Sequence, residues 1–150
     1  MHNTYNYDLL AVALMDLVGM LNSPRQDDFL LREAGIALDR ALFPLLVRIG
    51  SCDALNVGVL AEQVGRDQST VSRQTAKLAD LGLIRRRASS ADRRAREAVI
   101  TVEGRRLIQA ITAARRRLLD RLLANWPAAD VQALARLNRR FADAMKAAVV

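Results

Sequence analysis

Residues 56–82 read NVGVLAEQVGRDQSTVSRQTAKLADLG. Asn56 can cap a short helix over Val57–Val64, because an Asn oxygen accepts from amides that a helix's first turn leaves unpaired. Gly65-Arg66 forms a tight turn, and Asp67 caps a second helix from Gln68 to Leu81. Gly82 stands where a left-handed residue closes a helix. At about 100° per residue, Val71, Thr75, Leu78 and Gly82 share one face of the second helix. Ser69, Arg73, Ala76, Lys77 and Asp80 share the opposite face, with Thr70 at its edge. Two helices joined by such a turn make a helix-turn-helix, whose second helix enters the major groove of DNA. Ser and Thr hydroxyls can bond bases or phosphates, Arg can bond guanine through two hydrogen bonds, and the helix N-terminus favours phosphate. Any solvated helix also has a polar face, so this helix does not decide the function by itself.

Leu83–Arg87 and Arg96–Val102 alternate loosely and carry the β-branched Ile84, Val99, Ile100, Thr101 and Val102. They predict a two-stranded hairpin around Ser89-Ser90-Ala91-Asp92. Arg85, Arg86, Arg87, Arg93, Arg94 and Arg96 are expected to crowd around its tip. Beside a recognition helix, such a wing reaches phosphates or a neighbouring minor groove, whose negative potential attracts Arg.

Outward from this centre the chain is helical. Tyr5–Leu21 places Leu9, Leu10, Ala13, Leu14, Leu17, Val18 and Leu21 on one wide face, and Asn22-Ser23-Pro24 ends it. Gln26–Ala34 adds a short helical piece before Gly35. Asp39–Ile49 carries Leu42, Leu45, Leu46 and Ile49; Pro44 within it either kinks the helix or sits in its first turn. Glu103–Asn125 forms a long helix broken by Trp126-Pro127, and Asp130–Ala148 a last one with Val131, Leu134, Leu137, Phe141 and Met145 on one face. The fold class is therefore mainly α with a small β-hairpin wing. The winged lobe alone needs only part of these aliphatic faces. The remainder is expected to be buried against a second copy, since most oligomers are symmetric dimers.

Composition sets bounds on function. The chain has 150 residues and a net charge of +7, a balance that favours a polyanionic partner, nucleic acid first. Hydrophobic residues make up 51% and aromatics 4%, so the core is aliphatic. A single Cys, Cys52, has no partner for an internal disulfide, which fits a reducing cytoplasm. No apolar run approaches the length of a membrane span, and Met1-His2-Asn3-Thr4 does not open a signal peptide. One His and one Cys far apart give no metal spacing. No nucleophile–base pair, metal cluster or Gly-rich phosphate loop supports an enzyme, and no cofactor is implied.

Nearly the whole chain resembles the multiple antibiotic resistance regulator (MarR) family, most strongly over Leu55–Leu107. The resemblance is carried by Leu60-Ala61-Glu62, Gln68-Ser69-Thr70-Val71-Ser72-Arg73, Leu78, Leu81-Gly82-Leu83-Ile84, Asp92-Arg93-Arg94 and Ile100-Thr101-Val102-Glu103-Gly104. An Asp-x-Arg wing followed by a Thr-x-x-Gly helix start is fairly specific; the helix-turn-helix alone is not. The resemblance implies a cytoplasmic homodimer whose N- and C-terminal helices interlock, regulating transcription, as a repressor, on a palindromic double-stranded operator. It implies that Arg94 enters the minor groove and Asp92 buttresses the wing. Ser89-Ser90-Ala91 departs from the family's Asp-Pro-containing wing turn.

The expected DNA-contacting set is Gln68, Ser69, Thr70, Ser72, Arg73, Lys77, Asp92, Arg93, Arg94 and Arg96. The winged lobe is expected over about 38–102, with dimerisation helices over about 5–37 and 103–148. Many relatives release DNA when a small aromatic or phenolic effector binds between lobe and dimer helices; by position its walls would be Met15, Phe43, Leu46 and Arg48. The reactive Cys of peroxide-sensing relatives lies near the start of the first helix, so Cys52 is read as a small structural residue, Arg115-Arg116-Arg117 as a solvated face and Trp126 as a packing residue. The competing reading is a winged helix that binds protein, which would expose apolar anchors rather than Arg73, Lys77 and an arginine-rich wing.

Overall fold

A computed structural model describes residues 6–148. His2 and Tyr5 lie outside the described residues. The elements are α1 (Tyr7–Leu21), α2 (Pro24–Glu33), α3 (Phe43–Gly50), β1 (Leu55–Asn56), α4 (Val57–Val64), α5 (Gln68–Asp80), β2 (Ile84–Ala88), β3 (Arg96–Ile100), α6 (Val102–Leu122) and α7 (Ala128–Ala148). The chain divides inside α6, between Ala114 and Arg115, into two compact units. Among the described residues, no helix is long and apolar enough to cross a membrane.

Most boundaries follow from local chemistry. Asn56 Oδ1 accepts from the Gly58 and Val59 amides at 2.8 and 3.3 Å and starts α4. Gly65, at φ 65°, ends α4, and Gly82, at φ 73°, closes α5. The second closure is a Schellman motif, with Leu83 N to Leu78 O at 3.0 Å and Gly82 N to Ala79 O at 2.9 Å. Leu78 and Leu83 also pack in the same core. Pro44 lies in the first turn of α3, where its missing N–H costs nothing. Pro24 likewise opens α2 behind the cap Ser23, so this helix begins two residues before the Gln26 start read from sequence.

The first unit holds the core. Leu45, Leu46, Ile49, Leu60, Val71, Leu78, Ile84 and Ala98 are buried together. A second cluster gathers Leu31, Phe43 and Ile111. The sheet has three antiparallel strands in the order β1-β3-β2. The expected hairpin is present as β2 and β3, and β1 adds a third strand not read from sequence: Leu55 pairs with Ala98 and Asn56 with Glu97. A strand of two residues has no periodicity to read and is defined only by its partner. Ile84 pairs with Ile100 and Arg86 with Ala98; Ile84, Ala98 and Ile100 bury the sheet face that meets the helices.

Thr101 ties the wing to α6. Its amide donates to Leu83 O at 3.1 Å, its hydroxyl donates to Gly82 O at 2.7 Å, and its oxygen accepts from Gly104 N at 3.1 Å. This is the physical content of the Thr-x-x-Gly pattern. Gly104 is required because a Cβ there would lie 2.2 Å from Leu83 O and 2.8 Å from Ile100 Cγ1.

In contrast, α1 buries no residue, with Leu9, Met15 and Leu21 exposed at 66%, 74% and 65%. The second unit comprises the rest of α6 and α7, and α7 also buries none. Leu119, Leu122, Trp126, Leu137, Phe141 and Met145 are exposed.

Because the atom that a new Cβ meets at Gly104 is backbone, Gly104→Ala is expected to destabilise the first unit by about 1–3 kcal/mol, as overpacking does. Urea denaturation measures this; a change within about 0.5 kcal/mol, the range of ordinary surface substitutions, would contradict the close approach.

Candidate nucleic-acid interface

Burial fixes how α5 is turned. Val71, Thr75 and Leu78 are completely buried, and the Thr75 hydroxyl is satisfied by donating to Ser72 O at 2.9 Å. Gln68, Ser69, Arg73, Lys77 and Asp80 consequently face solvent, with Thr70 and Ser72 half-buried beside them. The outward face carries no exposed large apolar side chain.

The start of this face is a hydrogen-bonded set with a definite direction. The Thr70 amide donates to Asp67 Oδ1 at 2.9 Å. The Ser69 hydroxyl donates to the same oxygen at 2.5 Å, and the Thr70 hydroxyl donates to Asp67 Oδ2. Arg73 Nη2 in turn donates to Thr70 Oγ1 at 3.3 Å. Hydrogen bonds from the Ser69 hydroxyl, then from the Thr70 hydroxyl and amide, hold the Asp67 carboxyl well below the usual carboxylate range, with the Arg73 charge adding to them.

The wing is joined to this helix directly. Arg86 lies on the same sheet face as Ile84, and its Nη2 donates to Ser72 Oγ at 3.4 Å. Arg85 and Arg87 point to the other face. Arg87 is paired with Glu97 at 3.1 Å. The expectation that all six arginines crowd the tip is corrected: Arg85, Arg86 and Arg87 lie along β2, and only Arg93 and Arg94 occupy the tip, with Arg96 opening β3. Among the described residues, Arg85, Arg93, Arg94 and Arg96 make no ion pair.

The departing segment at the tip folds tightly. Buried Ser89 accepts from Ala91 N at 3.2 Å through its hydroxyl, and its amide donates to Ala95 O at 2.9 Å. Asp92 starts a β-turn: Ala95 N donates to Asp92 O at 3.0 Å and Arg94 N to Asp92 Oδ1 at 2.9 Å. Arg93 and Arg94 are its two central residues, so their side chains project outward. Asp92 is occupied with this turn.

Two further residues brace the candidate interface through contacts without a local sequence signal. Arg66 Nη1 donates to Ala41 O at 2.8 Å and to Gln74 Oε1 at 3.0 Å, tying the helix-turn-helix turn to the chain before α3. Arg86 is the other. Both act across contacts distant in sequence.

The effector walls expected from position have different surroundings. Leu46 is completely buried in the lobe core, and Phe43 is buried against Leu31 and Ile111. Arg48 is exposed near the end of α3. Met15 instead lines an open cleft of about 770 Å³ with Gly19, Met20, Arg25, Phe29 and Arg32. The apolar spacing of α3 points Leu46 inward, which rough positional matching cannot register. Cys52 packs against the core, with Sγ 3.8 Å from Ser51 Oγ.

Residues 38–95 match the sequence model of the MarR family. The fold is similar to that of a MarR family protein from Bacillus stearothermophilus, with TM-score 0.78, 19% identity and coverage of 95% of this chain and 99% of that one. It is similar to the transcriptional regulator Tm0710 from Thermotoga maritima, with TM-score 0.71, 22% identity and coverage of 93% and 95%. Wild-type MarR (apo form) from E. coli gives TM-score 0.68, 23% identity and coverage of 85% and 95%. Among curated proteins, none matches the chain.

The Asp67 cap has a pH signature. A carboxyl whose folded pKa lies below its unfolded value contributes stability that is whole above the unfolded value of about 4 and is lost as pH falls through the folded value. Asp67→Ala should therefore melt below the parent at neutral pH, and the gap should narrow from about pH 5 downward. Thermal melts across that range test it; a gap that widens in acid would contradict the network.

Proposed function

We propose that this chain, whose residues 38–95 match the MarR family model, is a homodimeric, double-stranded-DNA-binding transcription regulator that acts as a repressor. One observation carries the reading: the exposed polar face of α5 is continuous, through Arg86 and Ser72, with the arginines of the wing. In this reading α5 enters the major groove with Gln68, Ser69, Thr70, Ser72, Arg73 and Lys77. Arg93 and Arg94 follow the groove edge from the wing tip, with Arg94 in the minor groove and Arg96 behind it. Asp92 acts by shaping the turn that presents them. A protein-binding lobe would need apolar anchors, and the outward face of α5 has none.

The reading assigns about 38–102 to DNA and about 5–37 and 103–148 to dimerisation. The exposed aliphatic faces of α1 and α7 support the second assignment, since contiguous apolar surface of this kind marks an interface. Two lobes related by a two-fold axis would meet half-sites about one helical turn, ~34 Å, apart on a palindrome. The protein acts by binding, in the cytoplasm, without a cofactor. A small aromatic or phenolic effector, where one acts, is assigned to the α1–α2 cleft, where Phe29 offers a ring and Arg25 and Arg32 offer charge.

Two measurements test this. Sedimentation equilibrium at micromolar concentration should give the dimer mass; a monomer would overturn the assembly. Fluorescence anisotropy on a cognate and a scrambled duplex should separate helix from wing. Arg73→Ala should cost about 1–3 kcal/mol on the cognate site and relax discrimination. Arg94→Ala should weaken both duplexes evenly and flatten the salt dependence by about one unit of slope. Equal losses in specificity and slope would overturn the division of labour, and no loss in either variant would place the DNA surface elsewhere.

A further inference from the structure

The geometry points to Ser69 as a reader of exocyclic amino groups and to Asp67 as a positioning residue that aims Arg73 at guanine through Thr70. The inference rests on the DNA-binding reading and extends it to the class of base edge recognised.

It comes from counting donors. A serine hydroxyl has one proton and two lone pairs. The Ser69 proton is committed to Asp67 Oδ1 at 2.5 Å. What Ser69 presents outward is therefore acceptor only. In the major groove the complementary groups are the N6 amino of adenine and the N4 amino of cytosine; guanine N7 and O6 and thymine O4 are themselves acceptors. Withdrawing the proton to face a phosphate or a keto oxygen would strip a hydrogen bond from an ionised carboxylate, the stronger kind of bond.

The same direction of donation runs through the other branch. Arg73 donates to Thr70, and Thr70 donates to Asp67. One N–H of the guanidinium is thus held on the helix. The remaining four stay available, enough for the two acceptors of guanine. Holding a long side chain in place before binding removes part of the ordering cost that association otherwise carries. Asp67, at the helix cap, never needs to touch a base: it fixes which way two hydroxyls point, and through one of them where Arg73 sits. The two carboxylate oxygens divide the hydroxyls, Oδ1 accepting from Ser69 (and from the Thr70 amide) and Oδ2 from the Thr70 hydroxyl.

This division makes the test specific. Duplexes enriched by the full-length protein from a randomised 30-base-pair library supply the probe. Single bases in one half-site are then replaced by analogues. Purine for adenine and 2-pyrimidinone for cytosine delete one amino group; 7-deazaguanine for guanine deletes N7. At one position, amino deletion should weaken the parent by about three- to tenfold, the value of one hydrogen bond, and should cost Ser69→Ala nothing, while Ser69→Thr keeps the penalty. At another position, 7-deazaguanine should weaken the parent by at least about fivefold and cost Arg73→Ala nothing.

Asp67→Asn separates the branches. Asn caps as well as Asp and its Oδ1 still accepts from Ser69, but its Nδ2 donates to Thr70 and the charge that draws Arg73 is gone. The 7-deazaguanine penalty should shrink while the amino-deletion penalty stays. Thr70→Val, which removes the relay hydroxyl at constant shape, should do the same, and circular dichroism melts confirm that each variant is folded. The inference is overturned if no amino deletion weakens the parent, if Ser69→Ala keeps that penalty, or if Asp67→Asn and Thr70→Val both keep the full 7-deazaguanine penalty. If the library yields no enriched duplex, the DNA-binding reading itself fails and this inference with it.

Discussion

The rotation of α5 about its own axis is the constraint on which the rest depends. A helix of 13 residues with one fully buried stripe, Val71, Thr75 and Leu78, can present only one face outward. Both ends reinforce that setting. Asp67 caps the first turn, and the left-handed Gly82 closes the last one and passes Leu83 back into the core beside Leu78. Thr101 then grips Gly82 O with its hydroxyl and Leu83 O with its amide, and offers its oxygen to Gly104 at the start of α6. Helix, wing base and α6 are thereby tied together at one point, the Gly82–Leu83 turn.

The wing shows how a different sequence reaches a defined tip. The Asp-Pro turn that the resemblance leads one to expect is absent, yet Ser89 supplies an acceptor from inside the loop and Asp92 supplies another from the adjoining β-turn. Short side chains that bond their own backbone are the usual means of fixing a turn. They also keep the tip from collapsing onto its own charges: Asp92 is bonded to the Arg94 amide, so its carboxylate is turned to the backbone.

What was legible in the sequence was what repeats or punctuates locally. The spacing of Val71, Thr75 and Leu78, the caps Asn56 and Asp67, and the glycines at 65 and 82 gave the helix-turn-helix and its outward face. What was not legible lacked a period or joined distant residues. Leu55–Asn56 is too short to alternate. Arg66 reaches Ala41 across 25 positions, and Arg86 reaches Ser72 from a strand that looked merely basic. Rough position likewise cannot register that Phe43 and Leu46 pack inward, because the face of α3 that they occupy decides it. The direction of donation around Asp67 was equally invisible, since composition shows hydroxyls and a carboxylate but not which proton goes where.

The central claim, that α5 reads the major groove while the wing occupies the minor groove beside it, is tested most directly by dimethyl sulfate protection on a bound duplex. The reagent reports guanine N7 in the major groove and adenine N3 in the minor groove on the same strand. The account predicts N7 protection in two half-sites about one helical turn apart, each flanked by N3 protection. N3 protection without N7 protection, or N7 protection at a single unpaired site, would contradict it.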